Sequence, residues 1–309
     1  MPPISNWNKP QGLVTHAGHP ISETAIFFVP PPAEIGEVRS AWSCWSGTTS
    51  ARPPDLTRDL SITAAIIAIP FFVGGLTINV PVALLLSLVL TTATCVPMYL
   101  LRMRAYRYCS YVGTRGVAWF TANKDGSLSG VGETLIFTEK MRLWTVWVNK
   151  YVNGRYQYTR YLYRWGGEGE REFVKKGKFR SQSGQPSSAD PFWFCLAAEA
   201  SWVTFVLPSA RAELDRTGKC SFTLGDGRSL AIGEGFLEFV VQGRTTRWTK
   251  AEIAGVDSAN GTYTIRPKEG VSALTTAGKR TAFALQHASV PNGRLFLLLL
   301  DELVGFRFT

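Results

Sequence analysis

The sequence predicts an α+β protein: a two-helix transmembrane hairpin followed by two domains, each an antiparallel sheet that ends in one helix. Residues 60–101 contain no charged residue. The rest of the chain is dense in β-branched and aromatic segments separated by turn dipeptides such as Asn153-Gly154. In that part the order of strands followed by a helix occurs twice, which indicates one domain over residues 114–214 and another over residues 215–309.

Residues 1–59 are rich in proline, and Pro30-Pro31-Pro32 is the densest run. Because no helical or strand period persists there, a Pro-rich, mostly disordered tail is predicted. His16 and His19 have no cysteine or carboxylate partner nearby in the sequence and are expected to be solvated. Trp42 and Trp45 are either interface anchors or incidental hydrophobic residues.

The uncharged segment of 42 residues is too long for one membrane crossing. As a single helix it would span about 63 Å, roughly twice the thickness of the hydrocarbon layer. Gly74, Gly75 and Pro81 break it, so helices are predicted over about 60–77 and 81–101. A buried helical hairpin of a soluble protein is the alternative. Neither helix contains Asp, Glu, Lys, Arg or His, which disfavours a proton relay, a voltage sensor or a charged ion pathway.

The orientation of the hairpin follows from the basic juxtamembrane segment, residues 102–113. Its arginines, Arg102, Arg104 and Arg107, directly follow the second helix, and the turn between the helices carries no Lys or Arg. The positive-inside rule then predicts a protein of the cell (inner) membrane with two spans and both termini in the cytoplasm. Cys109 lies where palmitoylation occurs, and an ordinary free thiol is the alternative.

Positive charge is concentrated at the membrane exit and in the first domain. Lys and Arg exceed Asp and Glu by 10 in the whole chain and by the same number within residues 102–180. Aromatic residues alternate with the basic ones over residues 140–180. The predicted lipid- or partner-binding residues are Arg102, Arg104, Arg107, Lys140, Arg142, Arg171, Lys175, Lys176, Lys178 and Arg180.

Three interpretations of this basic, aromatic stretch are open. Each basic group near an anionic leaflet gains about 1 kcal/mol. Interleaved aromatic and basic residues also suit single-stranded nucleic acid. The third interpretation is a solvated strand face over an aromatic core. The tether to a membrane favours anionic lipid of the inner leaflet or a protein partner, including a second copy of the chain, over nucleic acid.

Enzyme signatures are absent from the sequence. The phosphate-loop-like Gly278-Lys279-Arg280-Thr281 lacks the upstream glycine and has no Ser or Thr directly after the lysine. His287 is the only histidine outside the first 59 residues. No CxxC pair indicates zinc or a structural disulfide. A non-enzymatic protein without a cofactor or metal is therefore predicted.

The second domain resembles bacterial pleckstrin-homology and GRAM-like domains in Gly235–Phe239, Trp248 and Glu252–Val256. The segments Phe192–Pro208, Phe222–Gly225 and Val290–Asn292 are similar to an uncharacterised family of bacterial membrane proteins with such domains. Together the resemblance covers about residues 190–305. It implies tandem domains of a bent antiparallel sheet capped by one helix, an inward-facing Trp248, and no catalytic residue.

These observations lead to one hypothesis and two alternatives. The hypothesis is a membrane-anchored, non-enzymatic binding or scaffold protein whose cytoplasmic domains engage an anionic lipid surface or a partner protein. The first alternative is a two-helix membrane effector or channel subunit gated by those domains. The second is an enzyme with an unrecognised site.

Overall fold

The structure is a computed structural model, and the residues it describes lie between Trp7 and Phe306. A short helix, α1, covers residues 88–96, within the second predicted membrane helix. The first predicted membrane helix, over 60–77, lies outside the described residues, so a two-helix hairpin is not shown. The described ranges are 7–23, 25–43, 85, 88–96, 107–122, 132–167, 169, 171–181, 185–224, 228–241, 243–259, 261–268, 274–276 and 279–306.

The first sheet has four antiparallel strands in the order β1-β2-β3-β4. They are β1 (Val38–Ser43), β2 (Arg107–Gly113), β3 (Gly116–Ala122) and β4 (Glu133–Ile136). A 3₁₀ turn, Ala33–Ile35, precedes β1. Residues 107–113, predicted as a juxtamembrane segment, are therefore a central strand of a sheet.

The prediction of a mostly disordered tail is wrong for the described part of residues 7–43. The side chains of Phe27 and Ile35 are buried with Tyr111 and Phe120 in a small core on the first sheet. Trp7 packs edge-on against Tyr111, with 5.4 Å between ring centroids. The segment shows no helical or strand period because it is ordered by packing on the first sheet. The strands β2, β3 and β4 of that sheet lie far away in the chain.

The second sheet has three antiparallel strands, β5 (Arg142–Val152), β6 (Arg155–Gly166) and β7 (Phe173–Phe179). Asn153 and Gly154 join β5 to β6 with positive φ angles of 49° and 74°, so the hairpin predicted at this dipeptide is confirmed. The long helix α2 (Phe192–Thr217) follows. Asp190 accepts a hydrogen bond of 2.8 Å from the N–H of Phe192, at the predicted helix start.

The remaining elements repeat this order. The strands β8 (Cys220–Thr223), β9 (Ser229–Gly233), β10 (Phe236–Val241) and β11 (Arg244–Thr249) form a four-stranded antiparallel sheet. A three-stranded sheet combines β12 (Ile253–Ala259), β13 (Thr262–Pro267) and β16 (Phe283–Gln286). A small hairpin, β14 (Leu274–Thr276) and β15 (Lys279–Thr281), is inserted before β16. Short 3₁₀ turns cover Lys250–Glu252 and His287–Ser289. The helix α3 (Gly293–Leu299) continues as one π-helical turn, Leu300–Val304.

The predicted α+β class with antiparallel sheets is thus confirmed, and its first unit has a different boundary. A four-stranded sheet, a three-stranded sheet and a helix occur in this order twice along the described chain. The first unit begins at β1 instead of residue 114. The uncharged segment consequently lies inside this unit, in the connection from β1 to β2.

One hydrophobic core joins the two units. Trp165 and Trp202 of the first unit belong to the same buried cluster as Trp248 and Phe296 of the second. Trp248 is 1% exposed, so its predicted core position is confirmed. The two helices also meet, because the indole N–H of Trp202 donates a hydrogen bond to the side-chain oxygen of Asn292. The units are therefore packed as one body.

Candidate functional site

The most distinctive surface is one face of the second sheet. Side chains alternate between the two faces of a strand, and the register aligns them across strands. One face, with Leu143, Tyr163 and Trp165, is buried in the core. We call the opposite one the outer face, and its residues are half-buried or exposed. It consists of Trp144, Val146, Val148 and Lys150 of β5, Tyr158, Arg160, Leu162 and Arg164 of β6, and Val174, Lys176 and Lys178 of β7.

Basic and apolar side chains are interleaved on the outer face. Arg164 lies over the ring of Trp144 at 4.6 Å, and Lys178 lies over the ring of Tyr158 at 5.6 Å. The strands β5 and β6 contain no Asp or Glu. At the edge of the face, Glu172 is 3.7 Å from Arg164. The face is therefore positively charged and has apolar surface between its charges.

The register also puts two like charges in opposite positions on this face. Arg160 of β6 is directly opposite Lys178 of β7. Like charges in directly opposite positions destabilise a sheet. An anion bound on the outer face would offset this repulsion, so the arrangement is suited to anionic ligands.

The structure distributes the predicted binding residues over several surfaces. Lys176 and Lys178 lie on the outer face, and Arg180 directly follows β7. Lys140 is exposed in the turn before β5. The exposed Arg171 lines a groove between β4 and β7. Thus only part of the predicted set shares one face.

Other predicted residues have different roles. The ammonium of Lys175 is 2.5 Å from a carboxylate oxygen of Glu133 and 4.7 Å from the ring centroid of Trp119, so it connects the two sheets of the first unit. The guanidinium of Arg142 donates hydrogen bonds of 2.8 Å to the carbonyl oxygens of Glu139 and Met141. Both cations take part in contacts within the first unit, and their predicted binding role stays a prediction. Arg107 begins β2, and Arg102 and Arg104 lie outside the described residues.

Sequence reasoning did not assign the apolar half of this surface. Val146, Val148, Leu162 and Val174 lie between the cations of the outer face. The signal that could have found them is the alternation along the strands. The even-numbered positions of β5 from Trp144 and those of β6 from Tyr158 to Arg164 share one face. Arg160 and Arg164 share that face and were not among the predicted site residues.

An aromatic groove lies on the other side of the same hairpin. It has a volume of about 550 Å³ and is lined by Trp147, Tyr151, Tyr156, Phe192 and Trp193, among others. None of the described residues that line it is charged. Trp147 donates a hydrogen bond of 3.1 Å from its indole N–H to the hydroxyl of Tyr163. Burial raises the pKa of Tyr163 far above its usual range, so this hydroxyl stays neutral. The groove offers an apolar surface without an acid or a base.

Two of the three histidines, His16 and His287, lie in contacts within the fold. His16 lies against β1 and β2, with its ring nitrogens 2.8 Å from Ser40 Oγ and 2.9 Å from Ser110 Oγ. The expectation that it is solvated is wrong, and burial lowers its pKa to about 3. His287 stacks on Tyr263 with 3.8 Å between ring centroids, and burial lowers its pKa.

The cysteines and acids of the described residues do not form a reactive or metal-binding group. Cys109 is fully buried in β2, so its thiol is not accessible for palmitoylation. Burial raises the pKa of Cys220 to about 12, which keeps this thiol protonated. Among the described residues no group of three or more His, Cys, Asp or Glu side chains could hold a metal ion.

Helix α2 is the only helix in the described part of the chain that is long and apolar enough to cross a membrane. Length and composition alone do not distinguish a span from the core helix of a soluble domain. In α2 the side chains of Phe194, Ala198 and Trp202 are buried in the core that the two units share. The packing therefore explains its apolar composition.

The chain matches no protein-family model, and no curated protein is similar to it in sequence. The structure itself defines the class: an α+β protein of antiparallel sheets with a basic and apolar sheet face.

Proposed function

We propose that the chain is a membrane-anchored, non-enzymatic binding protein with two pleckstrin-homology-like domains, and that the outer face binds the anionic inner leaflet. The repeated order of a four-stranded sheet, a three-stranded sheet and a C-terminal helix supports the domain type. The observation that carries the ligand class is the composition of the outer face, with Arg160, Lys176 and Lys178 set among valines.

The position of the uncharged segment supports an anchor with an even number of spans. Ser43 at the end of β1 is paired with Cys109 of β2, so the chain that leaves after Ser43 returns to the same place. A membrane insertion between two neighbouring strands has to cross the bilayer an even number of times. The segment has room for two spans, and both flanks then lie on one side.

Helix α1 supports the same interpretation. Leu88 and Val89 are 67% and 56% exposed, and Val96 is 48% exposed. Apolar side chains exposed to this degree are costly in water and favourable in the hydrocarbon layer. The arginines before β2 place its flanks on the cytoplasmic side by the positive-inside rule.

Binding to an anionic leaflet follows from the charges and the apolar residues together. Each basic residue near such a surface contributes about 1 kcal/mol, and the effect falls off within a Debye length. The anchor holds the domains at the membrane, so weak contacts are sufficient for the outer face to bind the leaflet. Tyr and Trp side chains such as Tyr158 and Trp144 suit the interfacial layer, because the apolar part of the ring can contact lipid while its polar group is hydrated.

The test uses the full chain in lipid nanodiscs of neutral lipid and of the same lipid with anionic phosphatidylserine. An amine-reactive reagent labels the lysines, and mass spectrometry measures the rate at each one. We expect anionic lipid to slow labelling of Lys176 and Lys178. Lys250 and Lys268, which are exposed in the second unit, are the controls and should not change. Equal labelling of Lys176 and Lys178 in the two lipids would reject lipid binding by the outer face.

A further inference from the structure

The end of the β5–β6 hairpin projects beyond the core. We call residues 147–156 the hairpin tip. Four large hydrophobic side chains of the tip are exposed: Trp147 by 47%, Val148 by 51%, Tyr151 by 56% and Val152 by 49%. Contiguous exposed apolar surface on a folded domain is typical of an interaction site.

Both faces of the hairpin tip carry exposed apolar side chains. Trp147 and Tyr151 line the uncharged aromatic groove on one face. By the alternation of the strand, Val148 and Val152 lie on the other face, next to the valines of the outer face. A partner protein that binds the hairpin tip in a groove would cover one face of the tip and leave the other face exposed. A bilayer surrounds an inserted hairpin on every side and covers both.

The charges of the tip fit an anionic leaflet. Lys150 and Arg155 are exposed beside the turn, and no acidic residue lies between them or elsewhere in β5 and β6. Long basic side chains can place their apolar stems along the hydrocarbon boundary and their charges among the headgroups. Tyr and Trp prefer the same depth.

The hairpin tip also lies at the end of the first unit where the chain leaves for the uncharged segment. Tyr108 is the second residue of β2, and its hydroxyl donates a hydrogen bond of 3.4 Å to the carbonyl oxygen of Ala189. Three residues later, Phe192 packs on Trp147 with 5.1 Å between ring centroids. These contacts place the start of β2, the start of α2 and the tip side by side.

We propose that the hairpin tip inserts into the interfacial layer of the anionic leaflet, next to the membrane anchor. The inference rests on the proposed function and adds the depth at which each part of the domain lies in the leaflet. The outer face stays among the headgroups, and the hairpin tip reaches the acyl chains. The two exposed valines and the two exposed aromatic rings are then covered by lipid.

A label at the tip measures this depth in the full chain. Cys44 and Cys95 are replaced by alanine, since the other three cysteines are buried, and Val152→Cys carries an environment-sensitive fluorophore. The matched control is Thr245→Cys, at an exposed position of β11 in the second unit. The nanodiscs contain phosphatidylserine and a lipid with a spin label in its acyl chain.

We expect the label at Val152→Cys to fluoresce at shorter wavelength and to be quenched by the lipid spin label, and the label at Thr245→Cys to show neither effect. Val148→Cys serves as a second site on the same face in case the first variant folds poorly. Quenching at both tip sites no greater than at the control would overturn the insertion. If Lys176 and Lys178 are still protected by anionic lipid in that case, the proposed function stands without the insertion.

Discussion

The indole N–H of Trp202 donates a hydrogen bond of 2.9 Å to the side-chain oxygen of Asn292, which links the helix of the first unit to the residue that precedes α3. The same oxygen accepts a second bond of 2.9 Å from the N–H of Leu143, and the N–H of Asn292 donates a bond of 2.7 Å to the carbonyl oxygen of Leu143. Asn292 is buried and has a positive φ of 56°, a conformation that Asn tolerates better than most residues. One side chain thus connects three elements of the two units.

Asn292→Gly should destabilise both units together. The change leaves the N–H groups of Trp202 and Leu143 without their acceptor, at a cost of about 1–3 kcal/mol for each buried donor. Asn292→Ala loses the same bonds and is also strained at positive φ, by about 1–2 kcal/mol. Urea unfolding of the detergent-solubilised chain, followed by tryptophan fluorescence, measures both.

We expect one cooperative transition that moves to lower urea in the order wild type, Asn292→Gly, Asn292→Ala. Two separate transitions in the wild type would contradict the shared core. Equal midpoints for the two variants would contradict the backbone argument.

The sequence predicts local features of this fold well and distant pairings poorly. The Asn153-Gly154 turn has its signal in two adjacent residues, and the structure has the hairpin there. The strand β1 has no such signal, because its partner β2 follows 63 residues later and neither strand is stable alone. For the same reason the candidate site was predicted in part. The basic residues of β7 are visible in the sequence as a run. Which face each one takes is decided by α2, which buries one face of the sheet, so that Lys175 points to Glu133 and Lys176 lies on the outer face.

Removal of the segment between β1 and β2 should give a soluble and folded protein. Ser43 and Cys109 are paired across two neighbouring strands, so a short connection can replace residues 44–106. A Gly-Ser linker of six residues spans roughly 13 Å on average, which is enough for neighbouring strands. We expect the variant to remain in solution without detergent, with the near-UV circular dichroism of the full chain.

The control for this variant is the full chain. It should stay with membranes after carbonate extraction, as an integral membrane protein does. A variant without residues 44–106 that aggregates, or a full chain that carbonate releases, would argue against a membrane anchor in this connection.

Neutralising two charges of the outer face should weaken binding to anionic lipid. Lys176→Gln with Lys178→Gln removes two charges worth about 1 kcal/mol each, so the affinity should fall roughly 30-fold. Vesicle flotation measures the affinity, with and without phosphatidylserine, for the variant in which a Gly-Ser linker replaces residues 44–106. Lys250→Gln with Lys268→Gln, in the second unit, is the charge-matched control. Equal losses in both double variants would mean that only net charge matters.

Glu199→Gln should stabilise the protein at neutral and alkaline pH. Glu199 of α2 is buried between the two units, and its burial raises its pKa to about 7, although Arg294 and a hydrogen bond from Tyr163 act in the opposite direction. The folded state therefore holds the proton more tightly than the unfolded state. This contribution to stability is fully present below pH 4.5 and is lost as the pH rises to about 7, an effect of about 3 kcal/mol.

Glutamine keeps an acceptor for Tyr163 and cannot ionise, so the loss above pH 4.5 should disappear in Glu199→Gln. Urea midpoints at pH 5 and pH 8 give the readout. Asp215→Asn, at an exposed position of the same helix, is the control and should keep the pH dependence of the wild type. An unchanged pH dependence in Glu199→Gln would show that another group causes it.

His16 should produce the opposite dependence at acidic pH. Both of its ring nitrogens are held by serines of β1 and β2, and burial lowers its pKa from the usual 6.5 to about 3. Below pH 6.5 the unfolded chain binds a proton that the folded chain excludes. The stability from the neutral ring is present above pH 6.5 and is lost as the pH falls toward 3, by about 1.4 kcal/mol per pH unit.

His16→Gln removes this titration, so its urea midpoint should fall less between pH 6.5 and pH 4.5 than that of the wild type. His19→Gln, at an exposed position three residues away, is the control and should follow the wild type. If His16→Gln has the same acid slope as His19→Gln, His16 is protonated in the folded state. The N-terminal segment would then not be closed over β1 and β2, because a charged imidazolium between Ser40 and Ser110 lacks the water that solvates it in the unfolded chain.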